Sequence, residues 1–78
     1  MIFRGEIIIM KEISIDTDFI KLDQFLKFVG VVQTGGQAKA LISEGNIIVN
    51  NEVILQRGKK IRKNDIVEIK GYDSFVVI

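Results

Sequence analysis

The chain contains neither cysteine nor histidine. Without cysteine no disulfide framework can hold a small domain together, and with both residues missing the ordinary zinc ligands, the thiolate nucleophile and the imidazole base are excluded. Long apolar runs are missing too. The opening MIFRGEIIIM is apolar in character, but Glu6 and Lys11 bracket a run far shorter than the roughly 20 residues that span a bilayer. It also lacks the small-residue cleavage site of a secretory signal, so a cytoplasmic protein without a membrane partner is expected. No linker, internal repeat or low-complexity tract is visible. The 78 residues, 47% of them hydrophobic, leave room for one compact domain with a thin core, stabilised by packing alone.

What is present is charge in an uneven distribution. The formal net charge is only +1, which by itself argues against a nucleic-acid partner. From Lys21 to Lys63, however, eight basic residues (Lys21, Lys27, Lys39, Arg57, Lys59, Lys60, Arg62, Lys63) face three acidic ones (Asp23, Glu44, Glu52), while each flank carries a net −2. The densest stretch, residues 57–63, holds five cations in seven positions and no acid. In isolation such a run reads equally well as a solvated loop, and the asymmetry is a better guide to partners than the total.

Hydrophobic spacing gives the coarse structure. Residues 12–15 alternate and read as a short strand, followed by the acidic turn Asp16-Thr17-Asp18, from which Asp18 is a candidate cap for the next helix. Leu22, Phe25, Leu26 and Val29 fall at i, i+3, i+4 and i+7, one stripe along a helix over 21–29 that Gly30 stops. After the connecting Val31 and Val32, Thr34 and Gln37 have capping-box spacing, so a second helix starts near Gly35, buries Ala38, Leu41 and Ile42, and ends at Gly45. The period then changes to that of strands: 47–49, a turn at Asn50-Asn51, 53–55, a turn at Asn64-Asp65, 66–69, a turn over 71–74, and 75–78.

The same residues carry a family resemblance. Lys21-Leu22-Asp23-Gln24-Phe25-Leu26 resembles the opening of the S-four RNA-binding domain, the alpha-L motif, and Ala38, Leu41, Ile42, Gly45, Ile47, Val49 and Asn50 match the spacing of its continuation. Arg57-Gly58-Lys59-Lys60-Ile61 and the segment Asn64-Asp65-Ile66-Val67-Glu68-Ile69 match its closing half. Ile15-Asp16-Thr17, Gln33-Thr34-Gly35-Gly36 and the tail Gly71-Tyr72-Asp73-Ser74-Phe75 are similar to stand-alone bacterial members often called YaaA-like. The resemblance implies an α+β fold, two packed helices against a small, mostly antiparallel sheet. It also implies non-catalytic binding of structured RNA, with ribosomal RNA or a ribosomal subunit as the foremost partner.

The resemblance places Lys21 on the RNA side and turns the basic run from a solvated loop into a contact surface, with Lys27, Lys39 and Gln37 on the helices. Asp23, in a first helical turn, reads as structural. Many family members have Ser-Arg where this chain has Thr34-Gly35, the arginine being a common phosphate contact. Gly35 and Gly36 leave backbone N–H groups unshielded at a helix N-terminus, a substitute anion site. The expected RNA contacts are therefore Lys21, Lys27, Thr34, Gly35, Gly36, Gln37, Lys39, Arg57, Lys59, Lys60, Arg62 and Lys63. Asn50 and Asn51 are explained by turn chemistry, and Phe25 and Phe28 by the core, so stacking of bases on aromatic side chains is not the main mode.

Catalytic readings find little support. Asp16 and Asp18 lie two apart but have too few neighbours to hold a metal, and 34–37 lacks the lysine of a nucleotide-binding loop. No cofactor or small-molecule substrate is expected. A reading of a different class is a protein-interaction module whose exposed final strand, 75–78, joins another chain's sheet without RNA. Residues 1–9 lie outside the resemblance. Arg4-Gly5-Glu6 can be encoded by a purine-rich ribosome-binding sequence three codons ahead of Met10, so 1–9 are expected to be a translated leader or else an extra strand, and 10–78 the domain.

Overall fold

A computed structural model of the chain describes residues 10–78, and the reading of 1–9 as leader or extra strand falls outside the described residues. In chain order the elements are β1 (Met10–Ile13), β2 (Ile20–Lys21), α1 (Leu22–Phe28), α2 (Gly35–Ser43), β3 (Ile47–Val49), β4 (Glu52–Val53), β5 (Lys60–Ile61), β6 (Ile66–Ile69) and β7 (Ser74–Val77). Five strands form one sheet in the order β1-β7-β6-β3-β4, antiparallel except for the parallel β1–β7 pair, and β2 and β5 make a separate two-stranded antiparallel ribbon. This is the expected α+β arrangement.

The strand order corrects one expectation. Residues 75–78 are not an exposed edge, because β7 is hydrogen-bonded on both sides, to β1 and to β6. Its two backbone rows are occupied within the domain, so it offers no template to another chain. Among the described residues the edges are β1 and the two-residue β4, and on β1 Lys11 is paired with Asp73 at 2.7 Å.

One core lies between the helices and the large sheet. Leu22, Phe25 and Leu26 of α1 and Ala38 and Ile42 of α2 are buried together with Ile47, Val49, Val67, Ile69, Phe75 and Val77 of the strands. Phe25 and Phe75 meet edge to face, with ring centroids 5.8 Å apart and planes at 83°, the offset arrangement that aromatic quadrupoles favour. Val31 and Val32 are more than connectors: Val32 is buried and Val31 packs against the core. Phe28 goes the other way and is 60% exposed. At 100° per residue it points about 110° from the middle of the Leu22-Phe25-Leu26-Val29 stripe, too far round the helix to reach the core.

Both helices end in the same closure. At α1 the Gly30 N–H donates to the Lys27 carbonyl and the Val31 N–H to that of Leu26; at α2 Gly45 donates to Ile42 and Asn46 to Leu41. Gly30 and Gly45 have φ of +82° and +77°, the left-handed geometry this closure needs and that a side chain resists. The start of α2 carries the predicted capping box: Thr34 Oγ1 accepts from the Gln37 N–H at 3.1 Å, and Gln37 Oε1 accepts from the N–H groups of Gln33 and Thr34. Asp18 caps nothing; the residue at the N-cap of α1 is Lys21, which supplies no side-chain bond. Three strands shift from their expected spans: the first is 10–13 rather than 12–15, the hairpin's return strand stops at Val53, leaving Leu55 exposed, and the last is 74–77 rather than 75–78.

Candidate nucleic-acid interface

The site is built around the start of α1. The first N–H groups of a helix have no partner within it and must find one elsewhere. Here the Leu22 N–H donates to the Lys59 carbonyl at 2.8 Å and the Asp23 N–H to the Arg57 carbonyl at 3.1 Å. Backbone from the basic run therefore caps the helix that a side chain leaves uncapped. The run is pulled against residues nearly forty positions earlier, and β2 and β5 form as a consequence, with Ile20 opposite Ile61 and Lys21 opposite Lys60.

Alternation along this ribbon separates two faces. Ile61 is fully buried and Ile20 packs against the core, whereas Lys21 and Lys60 both point to solvent. Lys21 is therefore strand-borne rather than helix-borne, and residues 57–63 are not one solvated loop, since Lys60–Ile61 is a strand. Phe19, one step ahead of β2, lies on the outer face with Lys21. Lys60 Nζ stands 4.8 Å and Arg62 Cζ 5.6 Å from its ring centroid. Among the described residues none of the eight cations between 21 and 63 is in an ion pair.

Next to the ribbon a polar clasp fixes the turn that follows β5. Asp65 Oδ2 accepts from the Arg62 N–H at 2.8 Å, and its Oδ1 accepts from Asn50 Nδ2 at 2.9 Å. Asn50 Oδ1 in turn accepts from the Ile66 N–H. Asn50 thus serves two structural purposes: with φ of +50° beside Asn51 at +71° it makes the β3–β4 turn, and its amide ties that turn to the one bearing Arg62 and Lys63. Turn chemistry accounts for Asn50 without a ligand. Asp23 likewise has a local task, its Oδ1 accepting from the Gln24 N–H.

The twelve expected contacts fall into three places. Lys21, Arg57, Lys59, Lys60 and Arg62 come together around the start of α1, and Lys63 sits on the adjoining turn. Lys27 lies in the last turn of α1, about 9 Å along the axis from Lys21. Thr34, Gly35, Gly36, Gln37 and Lys39 form the exposed start of α2. Here the structure narrows one role, since the carbonyl oxygen of Gln37 is committed to the capping box and only its amide NH₂ is left to reach outward. Gly35 and Gly36 are not demanded by the fold: neither has a positive φ, and a Cβ would meet nothing closer than Thr34 Oγ1, 3.9 Å from Gly36. The residue missed from the sequence was Phe19. Its signal is the alternation Phe19-Ile20-Lys21-Leu22, too short to stand out until β5 is paired with it.

Against this geometry, the family model described as the S4 domain matches residues 13–78, which includes every element except most of β1. The chain belongs to the S4 domain family. A Bacillus subtilis (strain 168) protein described as "Probable ribosome maturation protein RlbA" is 50% identical over 66 residues, covering 85% of this chain and 93% of that protein. Among solved structures, YbcJ from E. coli, described as having an alfaL motif involved in RNA binding, matches with a TM-score of 0.68 and 30% identity over 100% of this chain and 96% of that one. The S4 domain thus covers nearly the whole described chain, both helices and the β2–β5 ribbon included. No helix among the described residues is long and apolar enough to cross a membrane.

Proposed function

We propose that this protein binds structured RNA, ribosomal RNA foremost, through the face formed by the β2–β5 ribbon and the adjoining basic turn, and that it does so without catalysing a reaction. The observation that carries this reading is the placement of Lys21 directly opposite Lys60. Like charges facing each other across a strand pair destabilise it, and Lys21 also stands at the positive end of α1, where a cation is unfavourable. The isolated domain gains little from either charge: among the described residues Lys21 has no counter-charge, and Lys60 has only the Phe19 ring, a contact worth roughly 0.5–1 kcal/mol at an exposed site. A run of phosphates on that face removes both penalties at once.

Arg57 and Lys59 hold the ribbon through their backbone carbonyls, which leaves their side chains free to meet the ligand, and Arg62 and Lys63 extend the face. Exposed cations of this kind hold a backbone in register without reading sequence, which suits recognition of folded RNA by shape. RlbA's description as a ribosome maturation protein supports ribosomal RNA as the target, and a cytoplasmic location follows from that partner. The absence of histidine and cysteine from the sequence supports the non-catalytic part. The competing reading, a strand-addition module using 75–78, has lost its exposed edge.

If about five of these cations meet phosphates, the logarithm of the binding constant falls with the logarithm of salt concentration at a slope of roughly −3 to −5. Filter binding of the purified chain to folded ribosomal RNA fragments over a potassium chloride series measures it, and affinity insensitive to salt would overturn the reading. Crosslinking in cells followed by sequencing of the attached RNA identifies the target.

A second contact is proposed at the start of α2, where the N–H groups of Gly35 and Gly36 have no acceptor among the described residues. Glycine is a poorer helix former than alanine, by up to about 1 kcal/mol in a helix interior, and the fold's geometry gives no reason for two of them in the first turn. Gly36→Asp separates fold from function. A carboxylate in a first turn favours the helix and its Cβ makes only an ordinary contact, with Thr34 Oγ1 at 3.9 Å, so thermal stability should be equal or higher, while RNA affinity falls roughly tenfold as the acid repels phosphate. Unchanged affinity would remove this contact from the interface.

A further inference from the structure

We infer that Phe19 is a positioning residue of the RNA-binding face, its ring holding Lys60 and Arg62 in place rather than stacking on a base. The inference rests on the proposed RNA-binding reading and adds a residue that the charge pattern does not contain. The ribbon register supplies the geometry. Ile20 pairs with Ile61 and Lys21 with Lys60, so one further step of the same antiparallel register sets Phe19 opposite Arg62 on the outer face. Four side chains, Phe19, Lys21, Lys60 and Arg62, then occupy neighbouring places on that face.

Lys60 Nζ at 4.8 Å and Arg62 Cζ at 5.6 Å are both within the roughly 6 Å at which a cation feels a ring's quadrupole. Lysine and arginine side chains are otherwise highly mobile, and ordering them on binding is a cost that each contact must overcome. A ring that orders two of them beforehand lowers that cost. Phe19 is partly buried, and its ring is already engaged by two cations, which leaves less of it for a nucleobase than a free aromatic offers. Asp16 and Asp18, in the turn just before Phe19, are exposed. Among the described residues neither forms an ion pair with Lys60 or Arg62, so the ring is the partner the two cations have.

Two measurements on the intact chain test this. In the proton NMR spectrum of the free protein, the ε-methylene of Lys60 should lie upfield of those of Lys27, Lys39 and Lys63, because it sits over a ring; coincident shifts would overturn the inference whether or not RNA binds. In RNA binding at fixed salt, Phe19→Leu should lower affinity roughly 3- to 10-fold while Phe19→Tyr, which keeps the ring, holds it near the starting value. In a Lys60→Gln/Arg62→Gln background the Phe19→Leu change should have no further effect, since the cations it positions are gone. A loss that persists there would mean that the ring itself touches RNA, and equal affinity of the Leu variant and the unmodified chain would mean that it does nothing. If the unmodified chain binds no folded RNA at all, the proposed function fails, and the NMR arm still decides whether Phe19 holds Lys60.

Discussion

Changing Lys21, Lys60 and Arg62 together to glutamine is expected to lower affinity for folded RNA by roughly 100-fold near physiological salt and to reduce the salt slope by about 2 to 3. Each phosphate neutralised by a cation contributes nearly one unit of slope, and at about 0.15 M salt each is worth roughly a factor of five. The fold should not follow. Glutamine at 21 and 60 removes the repulsion between Lys21 and Lys60, paired across the ribbon, and relieves the helix start of a cation. Neither side chain is buried, and the contacts of Lys60 and Arg62 with the Phe19 ring that are lost are worth about as much as the repulsion that is removed, so the unfolding midpoint should stay level. Binding titrations paired with thermal unfolding check both halves. If the triple variant loses affinity only because it melts, the midpoint will fall together with the affinity and the face loses its claim to be an interface.

The helices were legible because their signals are local. The stripe on α1, the Thr34-Gln37 box and the glycines after each helix all lie within a few residues of what they specify, and the turn Asn50-Asn51 was legible for the same reason. What could not be read is what depends on partners far away in the chain. A two-residue strand has no period, and β2 and β5 exist because carbonyls of Arg57 and Lys59 satisfy α1, a relation between segments some forty residues apart. The interior place of β7 also depends on a remote element, the parallel approach of β1. The charge of the site and the separate start of α2 were visible in the sequence, but the division of the basic run into a ribbon and a turn was not.

The core carries the second large effect. Phe25→Ala should destabilise the domain by about 3 to 5 kcal/mol, and a chain of this size has roughly 4 to 12 kcal/mol to lose, so the variant will be at or near the edge of folding at 37 °C. Phe25 is fully buried, and its ring is the face-on-edge partner of Phe75 in β7; truncation opens a cavity between helix and sheet and removes that pair as well. The consequence reaches the interface by a definite route. Phe25 lies three residues into α1, and the first N–H groups of the same helix anchor the backbone of Arg57 and Lys59. Loosening α1 therefore releases the ribbon that presents Lys21 and Lys60. Urea unfolding should show a lower midpoint with an unchanged slope, and RNA affinity measured well below that midpoint should fall by less than in the glutamine variant. A Phe25→Ala chain that kept full stability would mean that the helix pair and the sheet are not held by the contact that joins them here.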